Sequence, residues 1–280
     1  MLVKKIDEVR NLVKEWKAKG LTIGYVPTMG ALHEGHESLI KRAVKENDKV
    51  IVSVFVNPTQ FGPNEDYDSY PRNIEKDMEL CKNAGATAVF NPEPSEMYSD
   101  NKSTTVSVSG LTEVLCGARR PGHFNGVCLV ITKFFNIVKP DRAYFGQKDA
   151  QQVAVLKRMV RDLSFDVEIV PCPIIREDDG LAKSSRNTYL SADERKAALV
   201  LSRSLTTAKE MLDNGERNAD KIKETMIFEI NKEPLAKIDY VEIVDSEDLS
   251  SISKIERSIL VPIAVYIGKT RLIDNFTYEI

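Results

Sequence analysis

The stretch 49–56, KVIVSVFV, limits what this chain can fold into more than any other segment. Its apolar side chains form a nearly continuous run and do not alternate with polar ones. Such a run is typical of a parallel strand that is buried on both faces. Helix-like and strand-like segments alternate around it, which predicts an α/β fold with a doubly wound, Rossmann-like parallel sheet.

Apolar periodicity and turn residues place the other elements of this first part of the chain. The predicted strands are 22–26, 49–56, 86–90, 142–145 and 165–170. The predicted helices are 3–19, one that starts near Gly35 or His36, 72–84, 125–138, and one that follows Asp149 and ends at Arg161. We expect Pro27 to end the strand that precedes it.

The character of the chain changes near Ile174. The segments Pro171-Cys172-Pro173 and Asp178-Asp179-Gly180 resemble a hinge. The elements predicted beyond them are helices 192–214 and 219–231 and strands 237–244 and 259–267. We therefore expect a Rossmann-like domain over residues 1–174 and a smaller α+β domain over residues 175–280.

Composition narrows the class of partner. The net charge is −3 over 280 residues, whereas a dedicated nucleic-acid binder shows a basic excess, so we expect small-molecule partners and no nucleic acid. The four cysteines form no CxxC pair, which argues against zinc and favours free thiols in a reducing compartment. No signal peptide and no apolar run of roughly 20 residues is present. We expect a cytoplasmic protein that does not enter a membrane.

The strongest functional signal is the segment 27–36, PTMGALHEGH, which follows a predicted strand and opens a predicted helix. Gly30 and Gly35 let the backbone approach a ligand closely, and a helix start offers free N–H groups to an anion. His33 and His36 are three positions apart, so one turn can direct both imidazoles to one point. Their N–H groups suit the charge that builds during attack at an α-phosphorus. The alternatives are structural histidines or ligands of a metal.

Two further segments carry groups that suit a triphosphate. In the segment 145–149, FGQKD, Lys148 can neutralise a phosphate and Asp149 can hold Mg²⁺ together with phosphate oxygens. In the segment 181–187, LAKSSRN, two hydroxyls and two cations can fold over the phosphates. Each segment also has a simpler interpretation, as a capped helix start and as a polar loop.

The early His-Glu-Gly-His turn and the late Lys-Ser-Ser loop are far more specific together than apart. The pair resembles the HIGH and KMSKS signatures of the nucleotidylyltransferase superfamily, whose members attack the α-phosphorus of ATP. Within it, the sequence resembles the pantothenate synthetase (pantoate–β-alanine ligase) family over essentially its whole length. The matching stretches are VPTMGALHEGHESLI, VSVFVNPTQFGPNEDYDSYPR, RPGHFNGV, KPDRAYFGQKDAQQ, DGLAKSSRNTYLS and GKTRLIDN.

The resemblance implies an enzyme that condenses pantoate with β-alanine in an ATP-dependent reaction. Pantoate and ATP would form a pantoyl-adenylate and pyrophosphate, and β-alanine would then displace AMP. The resemblance also implies a homodimer, in which domain 1–174 binds ATP and pantoate. Domain 175–280 would be a lid that carries the KSSRN loop and keeps water from the intermediate. Mg²⁺ is the expected metal ion, with Asp149 as its protein ligand.

The resemblance also assigns roles to single residues. His36, His33 and Lys148 are expected to be catalytic, with His36 as a proton donor. Gln60 and Gln152 are expected to bind pantoate, and Gln60 also β-alanine. The expected ATP-binding residues are Met29, Gly30, Ala31, Leu32, His33, Glu34, Gly35, His36, Gly146, Gln147, Lys148, Asp149, Ile175, Lys183, Ser184, Ser185 and Arg186.

Two residues depart from the family pattern. Asn125 stands where an arginine is expected in the GHFxGV turn, and Lys183 stands where Met or Leu is expected before the serine pair. The Lys183 ammonium can contact a β- or γ-phosphate. Alternatively, its stem can pack as Met would while the ammonium reaches water. We favour the second, because Lys148 and Arg186 already supply cations.

Two other functions are compatible with the motifs. One is another enzyme of the superfamily, such as a cytidylyltransferase or a synthetase fragment, although no separate tRNA-binding domain fits into 280 residues. The other is a non-catalytic nucleotide-binding regulator. Release of AMP distinguishes the ligase from other transferases, and a regulator would bind ATP without releasing pyrophosphate.

Overall fold

A computed structural model describes residues 1–63 and 65–280 of the chain. Its first sheet consists of β1 (Leu2–Val3), β2 (Ile23–Thr28), β3 (Lys49–Val54), β4 (Ala88–Phe90), β5 (Arg142–Gly146) and β6 (Glu168–Cys172). All paired strands are parallel, and their order is β1-β4-β3-β2-β5-β6. From β2, the chain adds β3 and β4 on one side and then β5 and β6 on the other side. This strand order confirms the doubly wound α/β fold.

The helices lie before, between and after these strands. They are α1 (Ile6–Ala18), α2 (Glu34–Glu46), α3 (Ile74–Asn83), α4 (Pro94–Met97), α5 (Leu115–Arg119), α6 (His123–Val138), α7 (Ala150–Asp162), α8 (Ala192–Ala197), α9 (Leu199–Asp213) and α10 (Ala219–Ile230). Short 3₁₀ turns occur at Pro58–Gln60, Gln147–Asp149 and Ser185–Tyr189.

Strand β3 is buried on both faces, as its continuous apolar run predicts. Ile51 packs into a core that includes residues of α1, α6 and α7. Its neighbours Val50 and Val52 pack into a second core that includes residues of α2 and α3. Successive side chains of a strand point to opposite faces, so the sheet separates two apolar layers.

The C-terminal part has its own antiparallel sheet. It consists of β7 (Ala236–Val241), β8 (Val244–Asp245), β9 (Ile259–Ile267) and β10 (Thr270–Tyr278). Strand β9 lies between β10 and β7 and also pairs with β8. A third core joins this sheet to α9 and α10, which agrees with the α+β character predicted for this part of the chain.

Several predicted boundaries are wrong, for local physical reasons. Strand β2 continues through Pro27, because the Thr28 hydroxyl donates to the Ser53 carbonyl oxygen at 2.6 Å and maintains the pairing. Helix α1 begins at Ile6, since Val3 pairs with Phe90 in the sheet. The helix predicted over 192–214 is divided at Ala198 into α8 and α9. The predicted strand 237–244 becomes β7 and β8, and β10 was not predicted.

The order of the strands places the candidate site. Strands β2 and β5 are neighbours at the point where strand order reverses, and their C-terminal ends open into the crevice where such sheets bind ligands. The segment Met29–His36 follows β2, and the turn Gln147–Asp149 follows β5. The fold therefore brings the first two predicted motifs together. None of the helices described for residues 1–63 and 65–280 is long and apolar enough to span a membrane.

Candidate active site

A cavity of about 240 Å³ lies at the ends of β2 and β5 and joins the three predicted motifs. An adjoining cavity of about 660 Å³ shares Lys148, Asp149 and Gln152 with it and reaches towards β10. The predicted residues that line the first cavity are Met29, His33, Gly35, His36, Gln60, Gly146, Lys148, Asp149, Gln152, Ile175, Lys183, Ser184, Ser185 and Arg186. One site therefore collects residues from distant parts of the chain.

Three of the predicted residues that do not line this cavity, Gly30, Ala31 and Leu32, shape the turn behind it. Ala31 and Leu32 donate their backbone N–H groups to the buried carboxylate of Asp77, at 3.1 and 2.8 Å. Gly30 lies so close to the same carboxylate that a Cβ atom there would come within 2.9 Å of it. No sequence pattern indicated a role for Asp77, which holds the turn in shape. Glu34 and Gln147 also lie outside this lining.

The two histidines present the same nitrogen to the cavity. The Gly35 N–H group donates to His33 Nδ1 at 3.1 Å, and the His33 N–H group donates to His36 Nδ1 at 3.3 Å. Each Nδ1 atom is therefore an acceptor, so each neutral ring carries its proton on Nε2. The rings lie 4.1 Å apart, and a Cβ atom at Gly35 would collide with the His33 ring. Gly35 makes room for this histidine.

Burial keeps all three histidines of the chain uncharged. It lowers the pKa of His36 to about 3, and the neighbouring His33 ring and Lys148 ammonium also disfavour a second positive charge there. Burial, with Lys148 nearby, lowers the pKa of His33 to about 4. Burial and the Arg120 guanidinium lower the pKa of His123 to about 4. In the free protein at neutral pH, His36 is therefore a hydrogen-bond donor through Nε2–H and not an imidazolium acid.

These depressed pKa values predict that stability falls as the pH drops below neutral. The unfolded chain takes up protons on its histidines near pH 6.5, whereas the folded chain resists protonation until about pH 4, so stability rises with pH in this window. We expect a loss of about 2 kcal/mol per histidine between pH 7 and pH 5. Urea unfolding at both pH values measures it. Between these pH values, the free energy of unfolding of the His123→Asn variant should fall by about a third less than that of wild type. An equal fall in both proteins would contradict the depressed pKa assigned to His123.

The orientation of the Gln60 amide is set by Asn57, a buried residue to which the sequence analysis gave no role. Asn57 Nδ2 donates to Gln60 Oε1 at 3.0 Å and to the Gly126 carbonyl oxygen at 3.2 Å. Gln60 Nε2 lies 3.1 Å from Met29 Sδ and is the group left to donate to a ligand. The contact between Asn57 and the residue 126 carbonyl oxygen requires glycine at that position, because a Cβ atom there would overlap the Thr59 carbonyl oxygen.

His123, the third histidine of the chain, holds the Gln60 backbone. Its Nδ1–H group donates to the Gln60 carbonyl oxygen at 2.8 Å, and its Nε2 atom accepts from Arg120 at 3.0 Å. Arg120 in turn makes a two-pronged ion pair with Glu65, with both distances 2.6 Å. The RPGHFNGV stretch was the sequence signal for this region. Asn125, where this stretch departs from the family pattern, is an exposed residue of α6 and lines neither of the two cavities.

Lys148 and Asp149 lie where the two cavities meet. Lys148 Nζ is 3.9 Å from Asp149 Oδ2, and the Asp149 side chain is about half exposed. Among residues 1–63 and 65–280 there is no cluster of three or more side chains of the types that hold a metal ion. A lone carboxylate beside a lysine fits Mg²⁺, since this ion is held by one or two carboxylates together with substrate phosphates and water.

The late loop closes the cavity from the opposite side. Arg186 makes two contacts with Asp66, at 3.1 and 2.9 Å, and the Ser185 hydroxyl lies 3.2 Å from the Tyr70 hydroxyl. The Lys183 N–H group donates to the Ile175 carbonyl oxygen at 2.9 Å. The loop is thus joined both to the end of the first sheet and to the segment that follows β3.

Lys183 has a partner that neither sequence interpretation included. Its ammonium is 3.1 Å from Glu34 Oε2, and the Glu34 side chain is 64% exposed. Glu34 is the first residue of α2, where a carboxylate is favourable. The pair connects the late loop to the histidine turn across the mouth of the cavity. The ammonium thus lies beside a largely exposed carboxylate, which is compatible with its reaching water, and the choice between the two interpretations stays a prediction.

We expect the Lys183→Met variant to keep kcat/KM for ATP within about threefold of wild type, since an exposed ion pair contributes roughly 0–1 kcal/mol. Met fills the same volume as the lysine stem, and three other cations, Arg120, Lys148 and Arg186, face the cavity. Steady-state kinetics with varied ATP measures the effect. Lys183→Glu is the matched control, because it sets two carboxylates against each other and should be more damaging. A tenfold loss in Lys183→Met, about 1.4 kcal/mol, would show that the ammonium acts on the nucleotide.

Comparison with known proteins gives one consistent result. The family model described as pantoate-beta-alanine ligase matches residues 1–277. A pantothenate synthetase of Clostridium acetobutylicum is 70% identical over 275 residues, which is 98% of each chain. A pantothenate synthetase of Clostridioides difficile is 67% identical over 280 residues, covering 100% of this chain and 99% of that one.

Solved structures agree with the sequence relatives. The crystal structure of pantothenate synthetase from Thermus thermophilus matches with a TM-score of 0.94 at 44% identity, over 98% of both chains. A pantoate-beta-alanine ligase from Francisella tularensis matches with a TM-score of 0.79 at 35% identity, over 99% of this chain and 97% of that one. That structure is a complex with beta-gamma ATP and beta-alanine.

Proposed function

The chain belongs to the pantoate–β-alanine ligase family, and on that premise we propose that its cavity condenses pantoate with β-alanine in an ATP-dependent reaction. The observation that carries this proposal is the convergence of the histidine turn, the Lys148 turn and the 183–186 loop on one cavity. A triphosphate that is attacked at its α-phosphorus needs positive charge and N–H donors around it, and these three segments supply both.

In the first step, a pantoate carboxylate oxygen attacks the α-phosphorus and pyrophosphate leaves, which forms pantoyl-adenylate. Gln60 and Gln152 orient pantoate. The Nε2–H groups of His33 and His36 donate to the phosphate oxygens as charge builds on them, while Lys148 and the Ser184, Ser185 and Arg186 loop hold the leaving pyrophosphate. Mg²⁺, held by Asp149 and phosphate oxygens, would supply further neutralisation of charge.

In the second step, the amine of β-alanine attacks the acyl carbon, and AMP leaves with the former carboxylate oxygen. The adenylate is sensitive to water, so the site must be closed while it exists. We assign this closure to residues 175–280 as a lid. Its own sheet and core and the contacts of its loop with Asp66 and Tyr70 support that role.

Two assays test this function. Given ATP, Mg²⁺, pantoate and β-alanine, the protein should release pantothenate, AMP and pyrophosphate. Without β-alanine, it should exchange labelled pyrophosphate into ATP only when pantoate is present. ATP binding without any pyrophosphate exchange would indicate a nucleotide-binding regulator, and nucleotide transfer that does not need pantoate would indicate another enzyme of the superfamily.

The proposal includes a homodimer, for which the segment 103–109 offers support. None of its backbone N–H groups donates a hydrogen bond within the described part of the chain, although the segment is rich in β-formers. Such unpaired N–H groups are open to pairing with a second copy. Light scattering should give about twice the 31.4 kDa chain mass. A monomer throughout the micromolar range would contradict it.

We place this reaction in the cytoplasm. The four cysteines, Cys81, Cys116, Cys128 and Cys172, are buried free thiols, which are typical of a reducing compartment. The partners of the proposed reaction are ATP, pantoate and β-alanine, and none of them requires a nucleic acid or a membrane surface.

A further inference from the structure

The stretch GKTRLIDN, residues 268–275, matches the family, yet the reaction described above uses none of its residues. The structure places its last two residues, Asp274 and Asn275, in β10 with only 2% and 4% of their surface exposed. Asn275 Nδ2 donates to two consecutive backbone carbonyl oxygens, those of Gln147 at 3.0 Å and Lys148 at 2.9 Å. Both hydrogens of this amide are thus committed to the turn that carries Lys148.

This turn depends on an external donor for its orientation. Gln147–Asp149 is a three-residue 3₁₀ turn between β5 and α7, and so short a turn contains few hydrogen bonds of its own. The Asn275 side chain is almost fully shielded, so water does not readily replace its two bonds if they are lost. A residue of the C-terminal sheet therefore holds the backbone of Lys148 in place.

The neighbouring residue holds the other cation-bearing segment. Asp274 accepts from both terminal nitrogens of Arg176, at 2.7 and 3.0 Å, and from the Asn275 N–H group at 2.7 Å. Arg176 pairs with Ala182 in an isolated antiparallel bridge, and Lys183 follows directly. Because adjacent residues of a strand point to opposite faces, β10 can hold both segments at once.

We propose that Asn275 is a positioning residue for Lys148, and that it sets the place of the ammonium relative to the 183–186 loop across the pyrophosphate site. This role rests on the proposed function, in which Lys148 contacts the departing pyrophosphate. The ammonium stands at the end of a flexible stem, so a shift of its backbone changes where it meets the phosphates. A misplacement of about 1 Å can lower a rate by roughly 10²-fold.

The test is a double-mutant cycle in the full-length protein, measured by pantoate-dependent exchange of pyrophosphate into ATP. The variants are Asn275→Leu, which keeps the shape of the side chain and removes both donors, Lys148→Met, and the two combined. Asn275→Leu alone should lower kcat by roughly ten- to hundredfold, with a smaller change in KM for ATP. In the Lys148→Met background, the same change should have less than about a twofold effect, because coupled residues are not additive.

Gln151 provides a matched control. Its amide is also buried, 6% exposed, and it also donates to two backbone carbonyl oxygens, those of Leu111 and Val114, both at 2.8 Å. Neither carbonyl belongs to the Lys148 turn. Gln151→Met should therefore cost stability to a similar extent, while any effect on exchange should be the same with and without Lys148. If Asn275→Leu does not fold, Asn275→Ser, which retains one donor, takes its place in the cycle.

The outcomes separate the two proposals. If Asn275→Leu lowers exchange by the same factor with and without Lys148, or does not lower it at all, Asn275 does not act through Lys148 and the inference is wrong. If Lys148→Met itself exchanges pyrophosphate at the wild-type rate, the role of Lys148 in the proposed function is wrong. If exchange is absent in the wild-type protein, the proposed function itself is wrong.

Discussion

Replacing His36 by alanine should lower kcat by on the order of 10²–10³, which is the usual effect of removing one donor that stabilises charge in a transition state. The Nδ1 atom of His36 is occupied by the His33 N–H group, so the Nε2–H group is the one lost to the substrate. Burial holds the pKa of His36 at about 3, and the ring acts as a neutral donor. Pantoate-dependent pyrophosphate exchange measures the effect on the first step directly.

The fold should survive this change, because His36 lies on the first turn of α2 at the edge of a cavity. Thermal unfolding and circular dichroism of the variant provide the control. His36→Gln, which can place a neutral donor near the Nε2 position, should recover part of the lost rate, whereas a proton donor would not be replaced by an amide. A near wild-type kcat in His36→Ala would remove this residue from the mechanism, and an unfolded variant would favour a structural histidine.

The second large effect is expected at Gln60. Changing it to glutamate should lower kcat/KM for pantoate by at least about 10²-fold, since two like charges placed next to each other repel by several kcal/mol. Asn57 still donates to one oxygen of the new carboxylate. The other oxygen then takes the place of the Gln60 Nε2 donor and faces pantoate's own carboxylate. Initial rates with varied pantoate measure the loss.

Gln60→Met separates the loss of the donor from the added charge. It has a similar shape and no charge, so its defect should lie between those of wild type and Gln60→Glu. In both variants KM for ATP should change little, because the proposed function places the nucleotide against the histidine turn and the late loop. Equal losses of kcat/KM for ATP and for pantoate would show that Gln60 maintains the site as a whole and does not bind pantoate.

Local patterns predicted the parts of this molecule that are contiguous in sequence. The apolar run of β3 marked a doubly buried strand, and the strand-turn-helix context of PTMGALHEGH located the histidine turn at the C-terminal end of β2. The switch in strand order then follows from packing, and it brings Lys148 next to that turn. The resemblance to a family extended these predictions to Gln60 and Gln152, whose sequence context alone contained no such signal.

Contacts between residues far apart in the chain could not be predicted in this way. Asn275 bonds to the Lys148 carbonyl oxygen across 127 positions, and the Lys183–Glu34 ion pair joins two separate motifs. Their partners depend on how the C-terminal sheet packs against the first, which no local periodicity records. The same holds for Asp77, a residue of α3 whose polar side chain is buried because the histidine turn folds over it.

The central claim is that pantoate is activated as an adenylate, and isotope transfer tests it most directly. Pantoate labelled with ¹⁸O in both carboxylate oxygens is incubated with the protein, ATP, Mg²⁺ and β-alanine, and the products are analysed by mass spectrometry. Attack on the α-phosphorus predicts that one labelled oxygen appears in AMP and one remains in the amide carbonyl of pantothenate. Label in inorganic phosphate, with ADP as the nucleotide product, would contradict the account and show that an acyl-phosphate forms instead.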